Sequence, residues 1–336
     1  MNEEKSPSQF PPPTAEEVRR TAGVGLRSIS RRMTSKIRSR LTGLNPAATG
    51  IFVVFIVVYC LQFVLPSPAL AVSPGKNGFS FLKIPDSARF SAMHGASASS
   101  EGQDCWKANP AALAFHPERI LSFSQNAWYM NTYMNTAAVN AGGFAFLWKN
   151  YNFEDTARGS SGENLGDFTD RYGVISFSYG FKLKRYTGLG VSYKKIKQKI
   201  YGENYDHSAY DMGFITQPGI LDSVGFVISN LGSKRKFENA KETLPRQYLL
   251  GSLKKMGRFY LASEIKYIPA EKITYLLGLE FKRDKKITLR FASEYQEDFN
   301  LSFGLGFRDG RYFVDFAFLP HGTLEYAYIT TAGFRF

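Results

Sequence analysis

Apolar and polar residues alternate in short runs that fill the chain from Ile120 to its aromatic end at Phe336. In the clearest run, apolar residues recur at every second position from Ile287 to Phe291, with polar residues between them. Alternate residues of a strand point to opposite faces, so each such strand offers one face to lipid and one to a polar lumen. The pattern therefore predicts an all-β fold, a transmembrane antiparallel β-barrel of the outer-membrane type.

Fourteen such runs are predicted to be strands. They lie near residues 120–129, 132–139, 144–153, 171–181, 187–201, 209–217, 223–230, 246–253, 259–267, 273–282, 287–295, 300–307, 311–318 and 326–336. Bacterial single-chain barrels close with an even strand number, which leaves both ends of the wall on the periplasmic side. Alternate connections are then expected to be short, and the opposite set contains the two longest, 154–169 and 231–245.

An uncharged apolar run, Ile51–Leu65, follows a basic stretch and leads to Ala69-Leu70-Ala71. This order of segments is typical of a secretory signal peptide, and it predicts cleavage after Ala71 and a mature chain that begins near Val72. The alternative is an uncleaved membrane anchor. The mean hydropathy of -0.23 argues against a helical membrane protein, because only this window approaches the length of a spanning helix.

Nine basic and four acidic residues precede Ile51, a net charge of +5, so the mature chain keeps +8 of the total of +13. A positive charge can attract nucleic acid, but an exported barrel more naturally meets anionic lipid head groups or an acidic ligand. We expect outer-membrane lipids as partners and no nucleic acid. After cleavage only Cys105 remains, so no internal disulfide can form.

Charged residues of both signs occupy inward positions of the predicted strands. They are Glu264, Lys266, Glu280, Arg290, Glu294 and Asp315. Mixed signs favour a lumen packed by salt bridges over an ion filter of a single sign, so no wide open pore is expected. The terminal aromatic Phe336 falls on the lipid face of the last strand, which matches the signal by which the barrel assembly machinery recognises its substrates.

The segment before the first strand lacks strand alternation. Asn109 can cap a short helix while Pro110 occupies its first turn, and Gly95 permits a close turn. Its motifs are Phe81-Leu-Lys-Ile84, Ala88-Arg-Phe-Ser-Ala-Met-His-Gly-Ala96, Asp104 and Asn109-Pro-Ala-Ala-Leu-Ala114.

At these motifs the chain resembles the PorV/PorQ-type family of outer-membrane proteins, relatives of the FadL/TodX transporters of long-chain fatty acids and hydrocarbons. Later patches match in the same order: Gly188-Leu-Gly-Val-Ser-Tyr-Lys194, Asn230-Leu-Gly232 and Asp315-Phe-Ala-Phe-Leu-Pro-His-Gly322. The resemblance implies a barrel of about fourteen strands whose N-terminal segment folds into or under the lumen. The implied plug or gate residues are Gly95, Asp104, Asn109 and Pro110. The expected parts are a basic leader with signal peptide over 1–71, a plug segment over 72–118 and a barrel over 119–336.

No residue pattern predicts catalysis. The four histidines stand in no order of nucleophile, histidine and acid, no cysteine or histidine pair has metal-ligand spacing, and no glycine-rich phosphate loop follows a strand. We expect no enzyme and no cofactor. Two functions stay open: a protein that passes or binds hydrophobic solutes, and a secretion-associated, type IX-like protein that binds or shuttles exported cargo proteins. An apolar lumen pocket above the plug would favour the first, and long ordered outer loops the second.

Overall fold

The computed structural model describes residues 79–94, 102–128, 132–158, 161–200, 203–232, 235–237, 240–320 and 326–336. The expected leader, signal peptide and cleavage site lie outside the described residues, as does Gly95. None of the helices in the described part of the chain is long and apolar enough to cross a membrane.

Fourteen strands of the described chain form one closed antiparallel barrel, as the sequence predicts. They are β1 (Ile120–Trp128), β2 (Thr132–Ala141), β3 (Phe144–Arg158), β4 (Asn164–Lys184), β5 (Thr187–Ile200), β6 (Glu203–Thr216), β7 (Ser223–Gly232), β10 (Gln247–Met256), β11 (Phe259–Tyr267), β12 (Thr274–Lys282), β13 (Ile287–Tyr295), β14 (Phe299–Asp309), β15 (Tyr312–Pro320) and β16 (Tyr326–Arg335). The wall closes where β1 pairs with β16, for example at Phe123 opposite Ala332. A separate hairpin, β8 (Arg235–Phe237) and β9 (Ala240–Glu242), lies between β7 and β10.

The barrel has two distinct ends. At the terminal end, β1 begins, β16 ends and short turns join β2 to β3 and β14 to β15. The opposite end, here the loop end, carries the connections from β3 to β4 and from β7 to β10. The sequence-based prediction of a loop over 154–169 is wrong, because β3 and β4 stay paired from Glu154 opposite Thr169 to Arg158 opposite Asn164. Beyond a membrane both faces of a strand meet water, so the alternating pattern that reveals a strand fades there.

Side chains alternate between the two faces of the wall as the run over 287–295 indicates. In β13, Thr288, Arg290 and Ala292 are buried, whereas Leu289 and Phe291 are exposed. Exposed apolar side chains occur on the outward face of nearly every barrel strand. These side chains form an apolar belt around the outside of the barrel, which is suited to contact with hydrocarbon.

A lysine at Phe291 should destabilise the folded barrel. This side chain lies mid-strand, is 43% exposed and points outward, so a charge there enters hydrocarbon at a cost of about 2 to 4 kcal/mol. The control is a lysine at Asn300, which lies in register with Glu294 and lines the lumen. Urea titrations of the two variants in lipid vesicles measure the difference, and equal stabilities would contradict the assigned faces.

In the part of the chain before β1 that the structure describes, there are four short helices. They are η1 (Ser80–Lys83) and η2 (Pro110–Ala114), which are 3-10 helices, and the α-helices α1 (Ala88–Met93) and α2 (Cys105–Ala108). Helix α1 packs against β12 to β16, and η2 packs against β4, β5 and β6 on the other side. The segment formed by residues 79–94 and 102–118, called the plug below, thus crosses the lumen from one wall to the other.

Four apolar clusters of described residues hold the plug against the wall, and two of them contain its aromatic residues. Phe90, Trp106 and Leu113 of the plug pack with Leu147 and Ile215 of the strands. Around η1, the second cluster combines Phe79 and Phe81 with Val174, Ile196, Ala209 and Leu244. The interior of this barrel is therefore a packed core in the part that the plug occupies.

Candidate functional site

Glycines in the wall let the plug backbone approach the strands closely. A Cβ on Gly190 would overlap the peptide between Pro110 and Ala111, and one on Gly213 would overlap the Asn109 side chain. On the opposite wall, a Cβ on Gly278 would overlap the Met93 carbonyl. A side chain at any of these positions would push the plug away, since packed interiors have no spare volume.

Asn109 and Pro110 fix the start of η2 as the sequence predicts. The Asn109 side-chain oxygen accepts a hydrogen bond from the Ala111 N–H at 3.0 Å, and Pro110 occupies the first turn, where no N–H is needed. The same side chain donates from Nδ2 to the Phe214 carbonyl of β6 at 3.2 Å. Asn109 therefore caps η2 and ties it to the wall at once.

A buried ion cluster ties α1 to the opposite wall. Arg89 of the plug donates to the Glu280 carboxylate at 3.1 Å, and Arg290 donates to the same carboxylate at 2.8 Å. Arg290 also donates to Asp315 at 2.6 Å. Charges buried this deeply are stable only when paired and hydrogen-bonded, so the plug and the wall satisfy each other here.

Further buried ion pairs surround η1 and α2. Lys149 of β3 pairs with Asp86 at 2.7 Å and donates to the Ile84 carbonyl, which holds the chain between η1 and α1. Asp104 pairs with Lys107 at 3.2 Å and accepts from the Ser122 hydroxyl of β1. The plug is therefore held by polar contacts along its length as well as by apolar packing.

Above the plug, toward the loop end, the lumen contains a partly open cavity of about 520 Å³. Its apolar lining includes Phe81, Phe90, Trp128, Leu249 and Leu276. Its charged lining includes Lys194 with Asp211, paired at 2.7 Å, and Lys266 with Glu294, paired at 3.3 Å. Apolar walls with paired charges suit a solute that is largely apolar and carries a small polar group.

One irregular place in the wall borders this cavity. The register between β6 and β7 shifts between Tyr210 and Met212, so Asp211 faces a bulge in β7 formed by Ser229 and Asn230. Asn230 opposite it has a left-handed backbone, with φ of 58°. The Asp211 carboxylate accepts from the Asn230 N–H at 2.8 Å, and Lys194 donates to the Asn230 side chain at 3.0 Å. The polar network occupies the position where regular strand pairing is interrupted.

The structure divides the six inward charges of the sequence analysis between two locations. Glu264, Lys266 and Glu294 line the cavity, whereas Glu280, Arg290 and Asp315 belong to the buried ion cluster. Phe336 is exposed and its N–H donates to the Arg119 carbonyl at 3.0 Å, next to the closing strand pair.

Some contacts between the plug and the wall could not be predicted from the sequence. The cluster needs Arg89, which lies 191 residues before its partner Glu280, and no local pattern joins such residues. The wall glycines left a weak signal, since Gly188 and Gly190 interrupt a strand pattern. No pattern in the sequence indicated which residues of the plug would approach these glycines.

The plug carries few groups with reactive chemistry. Burial raises the pKa of the Cys105 thiol to about 12, so it stays protonated at neutral pH. Burial also lowers the pKa of His94, whose Nε2 lies 3.0 Å from the Ser302 hydroxyl. Within the described ranges, no group of three or more histidine, cysteine or acidic residues is arranged to hold a metal ion.

The architecture is similar to solved outer-membrane barrels. A FadL homologue from Pseudomonas aeruginosa superposes with a TM-score of 0.54 at 12% sequence identity, over 75% of this chain and 98% of that one. The fold is that of a FadL-like outer-membrane β-barrel. A second FadL-like structure, the toluene transporter TodX from P. putida, gives a TM-score of 0.50 at 11% identity, over 75% of this chain and 98% of its own.

No protein-family model and no curated protein matches the chain. The resemblance to the PorV/PorQ-type family therefore stays a prediction from the motifs.

Proposed function

We propose that this chain is an outer-membrane protein that binds or passes hydrophobic and amphipathic small molecules through the cavity above the plug. The supporting observation is the cavity itself, whose volume of about 520 Å³ falls within the range of small-molecule pockets, roughly 300 to 1,000 Å³. Most of its charges are in ion pairs, so the lining favours no ion of one sign, while its apolar residues can hold an alkyl or aryl group. A fold shared with a protein described as a toluene transporter agrees with such a solute.

Substitutions at Leu249 and Leu250 test this function. Leu249 lines the cavity, whereas its neighbour Leu250 points outward and is 52% exposed. Leu249→Trp should fill part of the cavity and weaken binding of radiolabelled laurate and toluene by about tenfold, because added volume in a packed site costs about 1 to 3 kcal/mol. Leu250→Trp should bind as the wild type does. Equal binding by both variants, with both barrels folded, would refute a solute site in this cavity.

Transport also requires that the plug yields or leaves a path beside it. We propose that Gly95, Asp104, Asn109 and Pro110 serve this gating role, with Asn109 as the residue that holds η2 to β6.

The alternative function, binding or shuttling of exported cargo proteins, predicts a different experimental result. Deletion of the gene from the cell would then release a secreted protein from the cell surface, and the purified barrel would bind no solute.

We further propose that the chain is exported through a cleaved signal peptide and inserted by the barrel assembly machinery, which would recognise the ending at Phe336. Protein purified from the outer membrane should begin near Val72, because an apolar run precedes the small residues at Ala69 and Ala71. N-terminal sequencing measures this. Recovery of residues upstream of Ile51 would contradict cleavage.

A further inference from the structure

The outward faces of β3, β4, β5 and β6 change from aromatic to basic toward the loop end. Strand register places their outward residues in four successive rows. The rows are Phe146, Phe177, Tyr193 and Tyr210; then Trp148, Ile175, Lys195 and Ser208; then Asn150, Gly173, Lys197 and Asp206; then Asn152, Arg171, Lys199 and Asn204. The four cations of these rows are called the basic stripe below.

The height of the basic stripe follows from strand geometry. Each row is two residues, or about 7 Å, farther along the strands. With a strand tilt of about 45°, the row of Arg171 and Lys199 stands roughly 14 Å above the row of Tyr193. Aromatic girdles mark the boundary between hydrocarbon and head groups. The basic stripe therefore lies at the level of the lipid head groups or just above them.

The basic stripe has more cations than anions. Asp206 pairs with Lys195 at 3.0 Å, and both side chains are well exposed. Arg171 and Lys199 are exposed and form no ion pair with any residue whose side chain the structure describes. Lys197 is exposed too, and it lies opposite Asp206 as a second cationic neighbour of that carboxylate. Unpaired cations at this level attract phosphate groups, and a guanidinium can hold a phosphate through two parallel hydrogen bonds.

The surface at the basic stripe is concave. Gly173 has no side chain and faces outward between Asn150 and Lys197, and a Cβ built there would meet nothing within 4 Å. The depression has a volume of about 410 Å³. Its rim carries three cations, Arg171, Lys197 and Lys199, and one carboxylate, that of Asp206, which is already paired with Lys195. A phosphate with part of its sugar or glycerol could enter this depression and meet three cations.

We propose that the basic stripe binds the phosphate-bearing head groups of lipids around the barrel. The inference rests on the proposed embedding in an outer membrane. A lipid fits better than a soluble anion because the stripe faces away from the lumen and continues the apolar belt, so one molecule can place its chains on the aromatic rows and its phosphate on the cations. The bound lipids would then form an ordered ring segment beside β3 to β6.

The test compares two variants with the same change of charge. Lys197→Gln with Lys199→Gln removes half of the stripe, whereas Lys184→Gln with Lys285→Gln removes two exposed lysines elsewhere. Folded barrels in neutral detergent are titrated with diphosphoryl lipid A and, in parallel, with a phosphate-free galactosyl diacylglycerol. Native mass spectrometry counts the lipids retained on each barrel.

The wild type and the control variant should retain diphosphoryl lipid A, and the stripe variant should bind it about tenfold more weakly. Binding should weaken when salt rises from about 0.05 to 0.5 M, because screening acts on exposed charges. The proposal would be refuted if the stripe variant and the control variant retained equal amounts of diphosphoryl lipid A. It would also be refuted if the wild type retained the phosphate-free lipid as well as it retains diphosphoryl lipid A. Failure of every variant to insert into vesicles would count against the proposed function, whereas normal insertion with unchanged lipid retention would count only against the stripe.

Discussion

Liposomes that carry a Gly190→Val barrel should leak small solutes faster than liposomes that carry the wild type. The new side chain would occupy the space of the peptide between Pro110 and Ala111, so η2 could not keep its place against β5. Overpacking of this kind costs about 1 to 3 kcal/mol, which raises the displaced fraction of the plug by roughly 5- to 150-fold. Valine is well tolerated within strands, so the wall should still form.

Gly173→Val is the matched control for this experiment. Gly173 lies in the neighbouring strand β4, but its Cβ position is in open space on the outward face. Release of an encapsulated dye from liposomes measures permeability, and heat-dependent gel mobility shows that each barrel is folded. A variant lacking residues 79–115 sets the upper limit. If even this deletion leaves a folded barrel as tight as the wild type, the plug does not gate the lumen.

Glu280→Gln should cost about 3 to 5 kcal/mol of folding free energy, the largest stability effect expected of a single side chain here. Arg89 and Arg290 share this carboxylate, and their side chains are 3% and 0% exposed. Removal of the carboxylate leaves these two guanidinium groups, with the partly buried Arg308 nearby, and only one acidic partner, Asp315. Urea-dependent unfolding in lipid vesicles measures the loss.

A second substitution distinguishes charge balance from simple packing. Arg89→Gln in the Glu280→Gln background removes one cation that has lost its partner and leaves Arg290 paired with Asp315, so part of the lost stability should return. Asp309→Asn, which breaks the pair of Asp309 with Lys286, serves as the exposed control. Both of those side chains are 61% exposed, and the change should cost about 1 kcal/mol or less. A double variant no more stable than Glu280→Gln alone would show that charge balance is not the cause.

The sequence predicts correctly those features that depend on residues within a single strand or turn. The alternation around Phe291 assigns its face, and the order Asn109-Pro110 predicts a capped turn, because in both cases the partners are neighbours in the chain. The extension of β3 to Arg158 was missed, since a strand with water on both faces no longer alternates. The ion pair of Arg89 with Glu280 was missed for a different reason. These residues are distant in the sequence, and their contact depends on how the whole wall closes.

The link between plug and wall is short. Helix η2 ends at Ala114 and β1 begins at Ile120, so the five intervening residues span at most about 18 Å even when fully extended. A displaced η2 therefore stays tethered near the rim, at an effective concentration in the millimolar range or above. Recapture is intramolecular and does not depend on how much protein the membrane holds. Under the proposed gating role, an opening at η2 would therefore be brief and would reverse by itself. Its frequency would depend on the strength of the plug contacts rather than on the abundance of the protein.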